Sequence, residues 1–227
     1  LVLCGKAPIN KGTTASAEVS DLTYGGTDVN DNSGSIKYLR IEYPGFSYSS
    51  DKEFNGVSFF GVGKGTVVDY VQVYESSDDG FEWFGGTVNA KHLISYRNLD
   101  DDFDTDYGFS GNIQFGLIVR DPNLADNPAI STSEGFESDN DATGSAGTPQ
   151  TAAIFSNITA VIACSSSASG VVRFNTICLS KISTPNVPIN PELIELSCQS
   201  CFTKLAVVVF PFVPVTPSAV NDSKGFA

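Results

Sequence analysis

The sequence has no methionine, one histidine (His92) and one tryptophan (Trp83) among its 227 residues. It also has few basic residues: 13 Lys and Arg stand against 26 Asp and Glu, which gives a formal net charge of −13 at pH 7. Nucleic acids and anionic membrane surfaces are bound through basic patches, so this balance makes both poor partners, and we expect no nucleic-acid binding. A cation or a basic partner fits the charge better.

Long hydrophobic runs are also missing. No apolar segment approaches the roughly 20 residues that a membrane-spanning helix needs, so we expect no membrane span. The opening segment LVLCGKAPINKG (1–12) is not a signal peptide, because its apolar run is too short and no cleavage pattern follows. Since the chain begins without Met, we expect it to be a piece of a longer protein.

Cysteine is present in an odd number, which does not indicate a disulfide scaffold. Cys198 and Cys201 have the CxxC spacing of zinc and redox sites, but no second pair accompanies them. Four zinc ligands are therefore not available, and the alternating β/α pattern around a redox CxxC is absent. We interpret the cysteines as buried or incidental thiols. They are Cys4, Cys164, Cys178, Cys198 and Cys201.

Helical periodicity is almost absent as well. Short apolar and β-branched runs recur instead, each bounded by Gly, Asn, Asp or Ser, which predicts an all-β protein. Strands of this kind could form a sandwich, a barrel or a solenoid. The runs are SIKYLRIEY (35–43), NGVSFFGVG (55–63), TVVDYVQVYES (66–76), NAKHLISYRN (89–98), GNIQFGLIVRD (111–121) and AAIFSNITAVIA (152–163).

The spacing of the runs favours a solenoid. Val68, Leu93 and Ile113 follow one another at steps of 25 and 20 residues. Fixed periods of 20–50 residues are typical of stacked repeats. We therefore predict a parallel β-helix, with a β-sandwich as the alternative.

A second alignment uses Phe81, Phe103 and Phe136, which follow one another at steps of 22 and 33 residues. The first step is one coil of a β-helix. The second is a coil that holds an inserted loop, PNLADNPAISTS (122–133). Equivalent positions of successive coils stack about 4.8 Å apart, so these rings are expected to form an aromatic ladder in the core.

The same alignment superimposes acidic residues, which we place on a stacked turn. Like charges opposite each other on adjacent strands are destabilising, so a cation or hydrogen-bond donors must offset them. Ca²⁺ takes 6–8 oxygen ligands, although the EF-hand pattern fails because Tyr107 and Ile113 stand where it requires Gly and Glu. We predict calcium as the cofactor, with solvated acidic turns as the alternative. The predicted ligands are Asp78, Asp79, Glu82, Asp100, Asp101, Asp102, Asp104, Asp106, Glu137, Asp139 and Asp141.

Several long motifs carry a family resemblance. The segment from GGTDVNDNSG to GLIVRDP (25–122), with LVLCGKAPINKG and GFESDNDATGS (135–145), resembles a family of large secreted or surface proteins of Bacteroidetes-type bacteria. Members commonly end in a type IX secretion sorting domain. The resemblance covers about residues 1–160 and implies a right-handed parallel β-helix, export, and a secreted or cell-surface location on the exterior of the outer membrane. It supplies no catalytic residue.

The remaining residues differ in composition. Six prolines interrupt residues 185–217, and proline is excluded from central strands. We divide the chain into a β-helix domain, 1–163, and an atypical C-terminal segment, 164–227. The segment is interpreted as a final coil or cap, or as the product of a frameshift. In the cap interpretation, LAVVVFPFVPV (205–215) covers the open end of the helix.

The expected function is that of an extracellular structural or adhesive module. It would contact a polysaccharide or cell-surface glycan, or assemble with itself. Trp83 and Tyr107 are the predicted glycan-binding residues, because aromatic faces stack on sugar rings. The alternative is a polysaccharide-degrading lyase or glycoside hydrolase of β-helix fold.

Catalysis would require a basic residue beside the carboxylates. The Gly-His-Gly and Arg-x-Lys motifs of polygalacturonase-like enzymes are both missing, so no catalytic residue is assigned. The available bases are Lys91, His92, Arg97 and Arg120. Their placement beside the acidic residues would favour an enzyme, and their placement elsewhere a scaffold.

Overall fold

The computed structural model describes residues 1–18, 21–49, 52–126 and 131–162, and beyond them the backbone of three further strands. Every helix or strand in this described part is a β-strand. The strands are β1 (Val2–Cys4), β2 (Ala15–Ser16), β3 (Thr23–Tyr24), β4 (Ser35–Glu42), β5 (Ser47–Ser49), β6 (Lys52–Glu53), β7 (Val57–Val62), β8 (Val67–Tyr74), β9 (Phe81–Gly86), β10 (Ala90–Tyr96), β11 (Phe103–Asp106), β12 (Asn112–Gln114), β13 (Leu117–Arg120), β14 (Phe136–Ser138), β15 (Ala152–Ile162), β16 (Gly170–Ser180), β17 (Glu192–Leu196) and β18 (Leu205–Val209).

Two sheets contain most of these strands. The first sheet has the order β1-β7-β9-β11-β14-β18-β17, and the second has the order β12-β15-β13-β10-β8-β4, with β16 beside β15. From β7 to β15 the chain alternates between the sheets, and each strand pairs in parallel with the strand one coil earlier. This winding is a parallel β-helix, which confirms the predicted fold class. Among the described residues, no helix is long and apolar enough to cross a membrane.

The phenylalanine register is confirmed. Phe103 pairs with Phe81 on one side and with Phe136 on the other, and all three rings are buried. Their centroids are 5.7 Å apart at each step. Full burial of a side chain of this size contributes about 1.5–3 kcal/mol, so the three rings together contribute about 5–9 kcal/mol.

The register predicted from Val68, Leu93 and Ile113 was wrong. Val68 pairs with Ala90, and Ala90 pairs with Ile113, whereas Leu93 pairs with Val71. Both Val68 and Val71 point inward, although they are three residues apart, because each coil of this sheet carries one extra residue between them. The coil steps are therefore close to the 22 residues of the phenylalanine alignment.

An N-terminal segment covers part of the first sheet from outside. Ile9, Ala17 and Tyr24 pack against Phe60 and Phe84, which are the outward-facing aromatics of β7 and β9. The approach is close: a Cβ added at Gly85, whose φ is +71°, would lie 2.6 Å from Ile9. The outer face of this sheet is therefore largely sealed from water.

The strands beyond Ile162 continue both sheets. Strand β16 pairs antiparallel with β15, and β18 pairs in parallel with β14 through Val207 and Phe136. Strand β18 thus extends the first sheet beyond β14, and β17 forms the edge. Strand β18 contains the first five residues of the predicted cap. The rest of the predicted cap, residues 210–215, lies outside the described residues.

The cysteines are only partly described. Cys4 is a half-buried free thiol, and burial raises its pKa. Cys178 lies on β16, where its backbone pairs with Ile154. The predictions for Cys164, Cys198 and Cys201 fall outside the described residues.

Candidate metal centre

A four-residue repeat begins each coil of the first sheet. Its third residue is apolar and inward, and its fourth is the outward residue that follows, because successive side chains of a strand point to opposite faces. The fourth residues are paired across β7, β9, β11 and β14. The four copies are Asn55-Gly56-Val57-Ser58, Asp79-Gly80-Phe81-Glu82, Asp101-Asp102-Phe103-Asp104 and Glu134-Gly135-Phe136-Glu137.

The first residues of the repeat are linked from coil to coil. The backbone N–H of Asp101 donates to Oδ1 of Asp79 at 2.9 Å, and the N–H of Glu134 donates to Oδ1 of Asp101. The carbonyls of Asp79 and Asp101 accept from Gly56 and Gly80, each at 2.8 Å. These carboxylates therefore fasten each turn to the next, but each receives only one backbone donor.

Eight carboxylates lie at the first and fourth positions of this repeat or directly before it, and we name them the acidic ladder. They form three groups in which the oxygens of the members lie within 4.8 Å of one another. Two oxygens that bind one Ca²⁺ at 2.3–2.6 Å can be at most about 5 Å apart, so the groups fit a shared ion. The groups are Asp78, Asp79 and Asp100; Asp79, Glu82 and Asp104; and Asp101, Glu134 and Glu137.

The ladder is strongly desolvated. Asp79, Glu82 and Asp101 expose 7%, 9% and 1% of their surfaces. Burial, reinforced by neighbouring carboxylates, raises the pKa of each of these groups and of Asp104 well above the ordinary range. Burial followed by the charge of Glu53 raises the pKa of Asp78 to about 7. A charged ladder is therefore costly unless something offsets it.

The partners of the ladder do not offset its charge. The carboxyl groups of Glu82 and Asp104 contact each other, which requires a proton or a cation between them. Nδ2 of Asn55 donates to Glu82, but Oδ1 of Asn55 has no hydrogen-bond partner among the described residues, although Asn55 is only 3% exposed. Oδ1 of Asp104 is buried and likewise has no partner in the described part of the chain. These oxygens are free to act as ligands.

Basic residues lie elsewhere in the described part of the chain. His92 pairs with Asp69 at 2.7 Å on the second sheet, where Lys91 also lies, and Arg97 pairs with Glu75 at 3.0 Å and Asp121 at 3.1 Å. The only one that approaches the ladder is Arg120, which reaches it from inside the coil. Its Nη1 donates to the carbonyls of Asp100 and Glu134 at 2.9 and 2.7 Å, and to Oδ2 of Asp102 at 2.9 Å.

Asp102 was predicted as a ligand, and the structure corrects this. Its side chain is fully buried, binds Arg120 and accepts from Oγ of Ser95. The reason lies in the repeat, where Asp102 occupies the position of Gly80. A Cβ at Gly80 would point at Ser95 and Asn98 inside the coil, so a side chain at this position turns away from the ladder.

Three further predicted ligands lie outside the three groups. Asp106 is half-buried at the end of β11, and burial raises its pKa to about 7. Asp139 follows β14, and its N–H donates to the carbonyl of Thr105. Asp141 accepts from Thr143 and Ser145 in a local turn, which lowers its pKa. The remaining seven predicted residues are brought together; that they bind metal stays a prediction.

The two predicted glycan-binding aromatics do not present free ring faces. Trp83 is fully buried, with Phe59 and Phe109 each stacked on it at 5.4 Å, so the prediction of sugar stacking there is wrong. Tyr107 is half-buried, with Phe84 stacked at 6.0 Å and Nζ of Lys11 over its ring at 3.8 Å. Core packing and a cation–π contact already use both rings.

Sequence reasoning missed two members of the site. Glu134 takes the place of Asp79 and Asp101 in the fourth copy of the repeat, and Asn55 takes it in the first. The alignment on the phenylalanines already contained this signal, three residues before each outward acid. It was missed because Glu134 stands outside the aspartate-rich runs.

A family model described as a pectate-lyase like beta helix domain matches residues 1–190. No curated protein and no solved structure matches the chain.

Proposed function

The chain belongs to the pectate-lyase-like β-helix domain family, and we propose that it is an extracellular structural module whose acidic ladder binds calcium. The observation that carries the proposal is the crowding of Asp79, Glu82, Asp101 and Asp104, of which the first three are buried, without a paired base among the described residues. The ladder spans neighbouring coils, so a cation bound there would join coils as well as neutralise them.

The donor set favours calcium over other metals. All eight side chains of the ladder are carboxylates, and neither His nor Cys lies among them. Oxygen-only sites suit hard cations rather than zinc or copper. Mg²⁺ usually keeps several waters and takes one or two carboxylates, whereas Ca²⁺ accepts many protein oxygens in a flexible geometry.

The proposed setting is the cell surface or the medium outside the cell. Extracellular modules bind Ca²⁺ with dissociation constants of about 10⁻⁴–10⁻³ M, which a ladder of this charge can satisfy. The partner would be a polysaccharide, a cell-surface glycan or another copy of the chain. The net charge of −13 is in keeping with such a role and argues against anionic partners.

The placement of the bases supports a scaffold rather than a degrading enzyme. His92 and Lys91 lie on the second sheet, and Arg97 is held by two carboxylates of its own. Arg120 is 10% exposed and faces the inside of the coil. A general acid–base pair needs a titratable partner within reach of substrate, which none of these bases provides beside the ladder.

Thermal unfolding of the 227-residue chain in EDTA and in millimolar calcium tests the proposal. In 10 mM calcium, about 10–100 times the Kd of such an extracellular module, a ligand that binds only the native state adds about 1.4–2.7 kcal/mol. For a domain of this size we therefore expect the Tm to rise by roughly 3–10 °C. Magnesium at the same concentration is the control for ionic strength and should raise the Tm less. An equal Tm in EDTA and calcium would overturn the proposal.

A further inference from the structure

The outer face of the second sheet carries a row of four aromatic side chains, one from each of four successive coils. They are Tyr38, Tyr70, His92 and Phe115, which we name the aromatic row. Neighbouring rings are almost parallel, with interplanar angles of 10°, 7° and 13° and centroids 5.0, 4.2 and 5.1 Å apart. The rings therefore cover one another's faces and turn their edges to the surface.

The backbone is strained at every position of the row. The φ angles are +56°, +53°, +53° and +60°, a region that side chains other than glycine avoid at a cost of about 1–2 kcal/mol. These are the extra residues that separate the inward pairs such as Val68 and Val71. At each position the side chain projects from the outer face of the sheet. The free-energy cost of the left-handed conformation is therefore repeated in four coils, and the aromatic row forms one continuous ridge.

A groove of about 440 Å³ lies beside this ridge. Its floor is formed by Arg40, Gln72, Ile94 and Leu117, which are in register on β4, β8, β10 and β13. The groove therefore runs across the strands, along the axis of the helix. Four strands about 4.8 Å apart give it a length of about 14 Å, which suits an extended polymer.

The charge of the groove is balanced. Its only ionisable lining residues, besides the two tyrosines, are Arg40 and His92. Arg40 pairs with Glu42 and donates to Gln72 at 2.9 Å, and His92 pairs with Asp69. The groove is thus locally neutral in a chain of net charge −13. A polyanion would meet the repulsion of the whole molecule, and a polycation would find no carboxylate among the lining residues, so the complement of the groove is an uncharged ligand.

The lining combines apolar and polar groups in the way that a sugar requires. Ile94 and Leu117 offer an apolar floor to the C–H faces of a pyranose. The amide of Gln72 and the hydroxyls of Tyr38 and Tyr70 offer hydrogen bonds to its hydroxyl groups. We propose that this groove binds an extended, uncharged oligosaccharide whose chain follows the helix axis. This inference rests on the contact role in the proposed function and specifies the class of glycan that is contacted. It does not require calcium to be bound.

Affinity electrophoresis of the 227-residue chain tests the groove. The gels would contain hydroxyethyl cellulose, xyloglucan or galactomannan as neutral polymers and polygalacturonate as the anionic one, in calcium and in EDTA. We expect at least one neutral polymer to retard the protein and polygalacturonate not to do so. Retardation by polygalacturonate alone, or by none of the polymers, would overturn the proposal.

Variants separate the groove from the rest of the surface. Tyr70→Ala and Gln72→Ala should each weaken binding to the retarding polymer at least tenfold. Phe46→Ala is the matched control, because Phe46 is 67% exposed and does not line the groove. Melting curves of the three variants would check that each one is folded. Unchanged binding by both groove variants would contradict the assignment, whereas a calcium effect on Tm without glycan binding would leave the proposed function intact.

Discussion

Glu82 shows the conflict within the ladder at the scale of one residue. Burial, then the charges of Asp104 and Asp79, raises its pKa well above the ordinary range. The donor found for it is Nδ2 of Asn55. A carboxyl group in this position is stable when it holds a proton or a metal ion, and unstable when it is charged and bare.

Replacing Glu82 by Gln should therefore have opposite effects in two buffers. In EDTA at neutral pH, Glu82 must take up a proton or stay charged beside Asp104. Glu82→Gln removes this cost and should raise the Tm by a few degrees. In calcium it removes a ligand, so the Tm should fall below that of the wild type. Differential scanning calorimetry of both proteins in both buffers tests whether the order of the two Tm values reverses between EDTA and calcium.

The matched control is Glu42→Gln. Glu42 pairs with Arg40 at the surface, and exposed pairs contribute about 0–1 kcal/mol, so its Tm should change little in either buffer. If Glu82→Gln lowered the Tm equally in EDTA and in calcium, Glu82 would be an ordinary hydrogen-bonding residue. The cation site would then be excluded at this position.

Individual residues also show which features of the structure could be predicted from the sequence. The alignment on Phe81, Phe103 and Phe136 predicted a true register, because a buried ring must stack on its equivalent in the next coil. The inward orientation of the Asp102 side chain could not be predicted, because the chain bends between this residue and Phe103. The burial of Trp83, in contrast, could have been predicted: it lies two residues after Phe81, and alternate residues of a strand share a face, so the aromatic ladder already placed its ring in the core.

At the scale of the element, the strands of the second sheet depart from a simple alternation. In β8 the inward residues Val68 and Val71 flank Tyr70, whose φ is +53°. Apolar spacing alone therefore gave the wrong partner for Leu93. The strands β9, β11 and β14 were missed as strands because each lies in an acidic segment and carries an acid at an outward position.

The strained position in β8 can be tested with two substitutions that both remove the ring. Asn tolerates the left-handed region, whereas a β-branched residue is a true outlier there. Tyr70→Val should therefore be less stable than Tyr70→Asn by about 1–2 kcal/mol, measured by urea unfolding. The same pair at Tyr74, which lies in ordinary strand conformation, should favour Val. Equal stability of the two Tyr70 variants would mean that β8 relaxes and that the ridge is not imposed by the backbone.

At the scale of the whole molecule, the two sheets divide the surface into different chemistries. The N-terminal segment covers part of the outer face of the first sheet, and the buried carboxylates crowd the same sheet. The second sheet leaves its outer face open, with a neutral groove between aromatic side chains. The first face therefore governs the stability of the coil stack, and the second remains available for a partner.

The crowded face should also set the pH dependence of stability. The pKa values of Asp78 and Asp100 rise from about 4 in the unfolded chain to about 7 and about 6 in the fold, through burial first. The folded state then holds more protons than the unfolded state between these values, so stability falls as pH rises through the window. In EDTA the Tm should rise by several degrees when pH is lowered from about 8 to about 5. Below about pH 4 the lowered pKa values of Asp121 and Asp141 act in the opposite direction.

Calcium should compress this dependence, because protons and Ca²⁺ compete for the same carboxylates. The difference in Tm between calcium and EDTA should be largest near pH 8 and should shrink toward pH 5. Asp78→Asn removes one of the titrating groups and should flatten the EDTA curve, whereas Asp69→Asn on the other sheet should not. A calcium effect that grew toward pH 5 would mean that the ion binds groups of ordinary pKa at the surface. The buried carboxylates would then be held by protons alone.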